Sequence, residues 1–521
     1  MLRSHRIRSM PEEITRWAAL QPDAPALGAT NGHILTFADL AREIAALRRQ
    51  LRALGIDRQD RIAIALPNGP RSTVLFAAVL ASCTLVPVPP GTPPAELAAI
   101  LPRLRLAAVL SLGSLPSAVT DHVCPAAHAL GIPVLQVIPR SLDNPFTSTL
   151  LGNPIGPPAP DRPETLDDIA LILSTSGSTG RAKLVPKTHR NITCSQRLEV
   201  VGVDPTDRTA IVAPISHALA QGNLRRALCE GSFALCPEPS DLHLDHLPDL
   251  IGLWKLTWLG LPAPMLPRVI GATAPAGPRL CSTIRAIQTG SATLDDSIRS
   301  RVSRIFGVPI YNHYGSSEGG GIAYEGIHAP HRTGTVGRIV CPLRIMEDGR
   351  QLLDGEPGEI QISGDSVVPG YWDDPDATAR AFLPDGWFRT GDLGIVRDGY
   401  LTLLGRLDDR INVAGLKVDP EEIETLLRTH HDVQDAAVFA IPSDTTGQRV
   451  AAAIVVRPGV PPDRRALRRW LLDRLSAHKI PVVLLFLDAL PKTDTGKIDR
   501  ASLIALAETP KPTTLRSSPL S

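Results

Sequence analysis

The run Thr175-Ser176-Gly177-Ser178-Thr179-Gly180-Arg181-Ala182-Lys183 sets hydroxyls, glycines and a cation directly after the apolar residues 169–173. A loop of this kind, leaving a buried strand, is built to hold phosphate. Its two inner glycines let backbone N–H groups turn toward an anion, the hydroxyls add donors, and Lys183 adds charge at the far end. A nucleotide triphosphate is the ligand this chemistry calls for. The spacing excludes a Walker loop, which needs four residues between its glycines and a Lys-Ser or Lys-Thr pair after the second. Here only Ser178 and Thr179 separate Gly177 from Gly180.

Other side chains could serve the same chemistry. Charge on the phosphates of a bound triphosphate must be neutralised. Glu318, beside the hydroxyl-bearing turn Tyr314-Gly315-Ser316-Ser317, could serve as a hard-oxygen ligand for Mg²⁺. Asp392, after Thr390-Gly391, can accept both hydroxyls of a ribose, and Arg406 can join it. Taken singly, each has a plain structural reading. The glycine-rich run is a flexible turn, Asp392 an Asx turn, Lys497 in Asp494-Thr495-Gly496-Lys497 a solvated lysine, and His217 a core histidine.

The elements that must position these groups follow from periodicity and composition. At 521 residues the chain exceeds one ordinary core, and about three domains or lobes are expected. A hydrophobic content of 43% and a net charge of +1 describe a globular protein and speak against a nucleic-acid partner. The seven cysteines are scattered and form no C-x-x-C pair, which fits reduced thiols in the cytoplasm. The basic N-terminus lacks a secretory apolar stretch, and no apolar run reaches the length of a membrane span.

Short apolar runs at 61–66, 107–110, 132–137 and 169–173 read as buried strands, separated by helical stretches such as 37–54 and 71–81. Alternation of this kind predicts α/β architecture with parallel βαβ sheets. Residues 139–167, rich in Pro, Asn and Gly, read as an exposed connector. From 334 to 404 the turns Glu347-Asp348-Gly349, Pro384-Asp385-Gly386 and Arg397-Asp398-Gly399 predict a small β-rich lobe of hairpins. Beyond it, Asp419 can cap a helix starting at Pro420, strands follow at 436–441 and 450–456, and a helix at 464–475 completes a small α+β domain. The boundaries predicted are a large N-terminal domain at 1–404, a hinge at 405–409, a mobile C-terminal domain at 410–508 and a disordered tail at 509–521.

Six motifs in order together resemble the adenylate-forming superfamily, the AMP-dependent synthetases and ligases. It includes acyl-CoA synthetases, aryl-acid ligases, peptide-synthetase adenylation domains and luciferases. The motifs are the Thr175 to Lys183 loop, with Ala182 for the usual proline; Ala213-Pro214-Ile215-Ser216-His217; Tyr311-Asn312-His313-Tyr314-Gly315-Ser316-Ser317-Glu318; Gly386-Trp387-Phe388-Arg389-Thr390-Gly391-Asp392; Gly405-Arg406-Leu407-Asp408-Asp409-Arg410-Ile411-Asn412; and Pro491-Lys492-Thr493-Asp494-Thr495-Gly496-Lys497. The resemblance spans nearly the whole chain. It implies that Thr175, Ser176, Gly177, Ser178, Thr179, Gly180, Lys183, Asn312, Tyr314, Gly315, Asp392 and Arg406 bind ATP. Ser317 would hold the α-phosphate and Glu318 Mg²⁺.

In the enzymes it resembles, the lysine at Lys497 reaches the reacting carboxylate during adenylation and then swings away as the C-terminal domain rotates. Lys417 then comes near the thiol, and Asp408 is the hinge. His217 would line the acyl pocket and admit the thiol. Further pocket positions implied are Gln221, Gly222, Gln288, Gly290, Ser291, His313 and Gly319 to Gly321, whose small residues imply space at the pocket floor.

Amino-acid-activating domains carry an aspartate one residue after the position of His217, where this chain has Ala218, so a non-amino carboxylic acid is expected. The expected reaction forms acyl-AMP and pyrophosphate, then passes the acyl group to coenzyme A. One alternative is a freestanding enzyme that loads the phosphopantetheine of a separate carrier protein. An inactive binding protein on the same fold is another.

Overall fold

The computed structural model describes residues 7–89, 91–112, 121–141, 143–175, 182–194, 202–242, 244–273, 282–290, 294, 296–407, 409–413, 416–443, 447–461, 463–492 and 498–508. The chain divides into two compact units. One comprises Met1–Arg344, Gln361–Thr390 and Arg397–Leu401; the other comprises Ile345–Ile360, Gly391–Val396 and Thr402–Ser521.

The first unit is built on parallel sheets, as alternating strands and helices require. Its seven-stranded sheet runs Ser148–Leu151, Val134–Pro139, Ala108–Leu112, Arg61–Ala65, Thr84–Pro87, Ile169–Thr175, Lys183–Thr188. The inner pairings are parallel and both edge pairings antiparallel. The inner strands are near-continuous Val, Ile, Leu and Ala because helices cover both faces. Phe37–Ala53 starts at a capping box in which Thr36 accepts from the Asp39 N–H. It buries Phe37, Leu40, Ile44, Leu47 and Leu51, one face at helical spacing. Pro70–Ser82 is buried almost all round, so it shows no such stripe.

A second sheet carries Trp258–Pro262, Ala286–Gly290 and Ile310–Ser316 in parallel, then Gly320–Tyr324 and Gly337–Ile339 antiparallel. One face of the parallel part, with Leu259, Leu261, Ile287 and Ile310, joins an apolar core with Leu247, Ile251, Leu266 and Phe306. On the opposite face lies the helix Ala218–Cys229. Asn223 on this helix donates from Nδ2 to the Gly260 carbonyl at 3.0 Å, and a Cβ on Gly260 would come within 2.1 Å of that amide. Glycine is therefore required for the helix to lie this close. A four-stranded sheet, Arg208–Ala210, Phe233–Leu235, Pro25–Gly28, Ile34–Thr36, completes the unit.

The segment expected as an exposed connector contains the edge strand Ser148–Leu151. Gln50 reinforces it by accepting from the Leu150 N–H at 2.9 Å. Four residues framed by Pro, Asn and Gly are too few for their alternation to stand out in sequence.

In the second unit, Leu343–Glu347 pairs with Arg350–Gln351 through Asp348 and Gly349, at φ 47° and 80°. In the first unit, Asp398 and Gly399, at φ 52° and 75°, form a turn of the same kind. Both are the left-handed pairs that an Asp-Gly turn supplies. The C-terminal part is a sheet of Leu416–Val418, Ile411–Val413, Gly447–Val456 and Val433–Ser443, with Val483–Phe486 parallel to Gly447–Val456. Asp419 caps Pro420–Arg428 by accepting from the Glu421 N–H at 3.0 Å. The helix packs Ile423 and Leu427 against Val438, Ile454, Leu467 and Leu471. No helix among the described residues is long and apolar enough to cross a membrane.

Candidate active site

The ends of the phosphate loop are pinned by strand pairing. Ile169–Thr175 and Lys183–Thr188 run antiparallel with Thr175 opposite Lys183. The expected phosphate-binding residues Ser176, Gly177, Ser178, Thr179 and Gly180 lie outside the described residues. Lys183 is 3.4 Å from the hydroxyl of Tyr371, with its ammonium 5.0 Å from that ring's centroid. The same hydroxyl donates to Glu318 Oε1 at 2.9 Å. One phenol therefore joins the cation at the loop's end to the carboxylate expected to face magnesium.

Glu318 is set by the tight turn that follows Ile310–Ser316. A Cβ on Gly315 would come within 2.3 Å of the Gly320 carbonyl, and Ser316 Oγ accepts from the Gly319 N–H at 2.8 Å. The Glu318 carbonyl accepts from the Val368 N–H at 2.9 Å, fixing the turn against the segment that brings in Tyr371. Tyr371 is buried and meets Phe382 edge-on with centroids 5.3 Å apart. Ser317 is half-buried in the same turn, one residue from Glu318. Tyr314 is half-buried on the strand.

Asn312 is buried, and its N–H donates to Glu325 Oε2 at 2.9 Å. Glu325, fully buried, also receives Arg299 at 3.0 Å and His331 at 2.7 Å on Oε1. This ionic network anchors the strand that carries the motif. Sequence reading did not single it out, because its members are spread over more than thirty residues.

His217 is the N-cap residue of the helix Ala218–Cys229, which places Gln221 and Gly222 on its first turns. Gln221 is fully buried; its Nε2 donates to the Ser216 carbonyl at 3.3 Å, and its Oε1 has no partner among the described residues. Across the parallel sheet Gln288 is in register with Gly260 and Tyr311, so it stands on the face covered by this helix. His313, two residues beyond Tyr311, shares that face. Its Nδ1 is 2.7 Å from the Thr289 carbonyl and 3.3 Å from Gln288 Nε2. Burial, reinforced by the charge of Arg226, draws His313 down to about 4, so it is neutral at ordinary pH, with Nδ1 donating to that carbonyl. Gly290 must lack a side chain, since a Cβ would lie 2.4 Å from the His313 ring.

Two glycines expected to leave space do other work. At Gly319 a Cβ would meet Ile362 Cδ1 at 2.2 Å, so the position is filled by packing. Gly320 adopts φ 70°, which the hairpin requires. Ser291, Asp408 and Lys497 lie outside the described residues. Lys417 lies on Leu416–Val418, its backbone paired with Asn412.

In the second unit, Arg406 Nη1 reaches Asp392 Oδ1 at 3.3 Å, and the Leu407 N–H donates to the Gly391 carbonyl at 2.7 Å. Asp392 lies within the strand Phe388–Arg397 instead of in the turn its sequence context predicts. Gly391, at φ 71°, kinks the strand there, so a turn-forming pair sits inside a ladder.

Residues 14–372 match the AMP-binding enzyme family, and residues 422–497 match the AMP-binding enzyme C-terminal domain. The chain belongs to the AMP-binding enzyme family, and it is an AMP-forming acid–thiol ligase that uses ATP.

Among curated proteins it is 30% identical to a sulfoacetate–CoA ligase of Cupriavidus necator, over 94% of this chain and 96% of that one. It is 31% identical to a feruloyl-CoA synthase of an Amycolatopsis species, over 93% and 96%. The fold is that of ATP-bound MatB from Rhodopseudomonas palustris, with a TM-score of 0.83, 24% identity and coverage of 96% of this chain and 99% of that one.

Proposed function

We propose that this enzyme adenylates a non-amino carboxylic acid and transfers the acyl group to coenzyme A. The observation that carries the reading is Ala218, the first residue of the helix capped by His217, where an ammonium-binding carboxylate would have to stand. The relatives named as CoA ligases match it over more than nine-tenths of the chain, which supports coenzyme A as the acceptor.

Mg²⁺ fits Glu318. One of its oxygens is held by Tyr371, and the other receives no hydrogen bond among the described residues. A single carboxylate completed by phosphates and water is the usual magnesium arrangement. When bound, the ion would spread charge on the phosphates. The chain's own groups do the rest. Lys183 and the loop hold the triphosphate, and Asp392 with Arg406 takes the ribose. Lys497 neutralises the α-phosphate as the acid's carboxylate attacks, and pyrophosphate leaves. The thiol then displaces AMP, a good leaving group, so orientation suffices and no nucleophilic side chain is needed.

Acid-dependent ATP–pyrophosphate exchange, followed by AMP release with coenzyme A or with a phosphopantetheinylated carrier protein, tests the reading. Exchange with a non-amino acid and turnover with coenzyme A support it. Turnover with the carrier alone would assign the enzyme to carrier loading, and exchange only with amino acids would overturn the assignment of Ala218.

A further inference from the structure

The layer between the sheets of the first unit holds cations that the adenylation machinery leaves unused. Arg225 lies in the helix Ala218–Cys229, which buries eight of its residues, and is itself 7% exposed. Lys187, in the strand Lys183–Thr188, is also 7% exposed. A surface arginine or lysine would run its stem along the protein and keep its head in water. These two do not.

Strand alternation fixes where Lys187 points. It shares a face with Val185, and Val185 belongs to the core formed with Ala220, Leu224, Ala227 and Leu228 of the helix. Lys187 therefore leaves the sheet on the side the helix covers, and the charge of Arg225 bears on it.

Neither cation forms a salt bridge among the described residues. The Arg225 Nε is buried with no hydrogen-bond partner among the described residues, and the groups that bear on it are the Cys229 thiol and a second cation, Arg226. Lys187 is drawn down to about 8, first by burial and then by Arg225, against the opposing carboxylate of Glu318. One full turn before Arg225, the fully buried Gln221 has no partner for its Oε1 among the described residues. Across the layer Gln288 Oε1 is also buried with no partner among the described residues, on the sheet face that the helix covers. Buried charge in such excess is stable only where an anion arrives to meet it.

We propose that Lys187 and Arg225 bind a second anionic group, a carboxylate or a sulfonate, carried by the acid this enzyme activates. The proposal rests on the acid–thiol ligase reading above and names its substrate class. The triphosphate is the competing anion, and two observations favour the acid. Lys187 lies four residues from the loop end at Lys183, a separation of about 13 Å along an extended strand. Arg225 and Gln221 belong to the helix capped by His217, whose first turns carry the pocket positions. A small, doubly charged acid would leave no buried cation unmet, whereas an aliphatic or unsubstituted aryl acid would leave both.

Pyrophosphate exchange by the full-length enzyme on acid pairs of matched size tests this: succinate against butyrate, malonate against butyrate, and sulfoacetate against butyrate. The expected result is a kcat/KM about 100-fold or more higher for the doubly charged member, as for a site built around a buried polar partner. Lys187→Met and Arg225→Met should each cut that preference about tenfold or more while leaving the KM for ATP within about twofold. Arg225→Lys should restore part of it. Both Met variants remove repulsion and stay folded, which thermal unfolding checks.

Equal or better use of the uncharged acids by the wild type would overturn the proposal while leaving the ligase reading intact. So would variants that raise the KM for ATP as much as that for the acid, which would assign the pair to the triphosphate. Silence with every acid would overturn the ligase reading and the proposal together.

Discussion

Tyr371 donates its hydroxyl to Glu318 across 2.9 Å, a contact between residues 53 apart in sequence. Lys183 Nζ lies 3.4 Å from the same hydroxyl, so one phenol links loop cation and carboxylate. Tyr371→Phe keeps the ring against Phe382 and removes the hydroxyl's links to Glu318 and Lys183. A hydrogen bond to a charged group is worth about 1.5–3 kcal/mol, so kcat/KM for ATP in pyrophosphate exchange should fall about 10- to 100-fold. The melting temperature should change little. An unchanged exchange rate would show that Glu318 holds its position without the phenol.

Lys497 and Asp408 should separate the two half-reactions. Lys497→Ala removes the cation proposed to meet the developing charge and should slow acyl-AMP formation about 100- to 1000-fold. Synthetic acyl-AMP should still be consumed by coenzyme A. Asp408→Pro, at the proposed hinge, should leave acyl-AMP formation and suppress thioester formation. Single-turnover assays of each step measure this, and equal loss of both steps in either variant would exclude the division of labour.

Glu325 is fully buried and joins Arg299, His331 and the Asn312 N–H. Glu325→Ala strands the Arg299 charge, and breaking a buried ion pair on one side costs about 3–5 kcal/mol. Denaturant unfolding should show that loss. Substitution of Arg299 and Glu325 together should cost less than the sum of the single changes, because no lone charge is left.

His189 is 1% exposed, and burial together with Arg58 draws it to about 4 from an ordinary 6.5, opposed by Asp168 and Glu12. His313 is lowered in the same way. Between pH 6.5 and 4 the unfolded chain takes up protons that the folded chain does not, so stability is full above about 6.5 and falls as pH drops toward 4. The urea midpoint should therefore be lower at pH 5 than at pH 7.5. His189→Gln should flatten part of that difference, and an identical pH dependence in the variant would remove His189 as its source.

Much of this protein was determined by sequence alone, because the features concerned are local. The inner strands of the seven-stranded sheet are apolar runs, and the Asp-Gly pairs at 348–349 and 398–399 adopt the left-handed torsions that the dipeptide favours. Asp419 caps its helix by reaching two residues forward. The motifs are likewise contiguous stretches whose chemistry is visible without a fold. Tertiary structure decided which distant side chains meet. Nothing near Gly370-Tyr371 announces that its phenol reaches Glu318. The same holds at Gly319, where the absent side chain makes room for Ile362. Ser148–Leu151 is a strand only because Val134–Pro139 offers it an edge. Lys187 interrupts an apolar strand, a signal that was present, but the fold was needed to show that its side chain is buried on the face the helix covers. Local patterns follow from a residue's neighbours in the chain, whereas charge burial and long-range contacts depend on how separate elements pack.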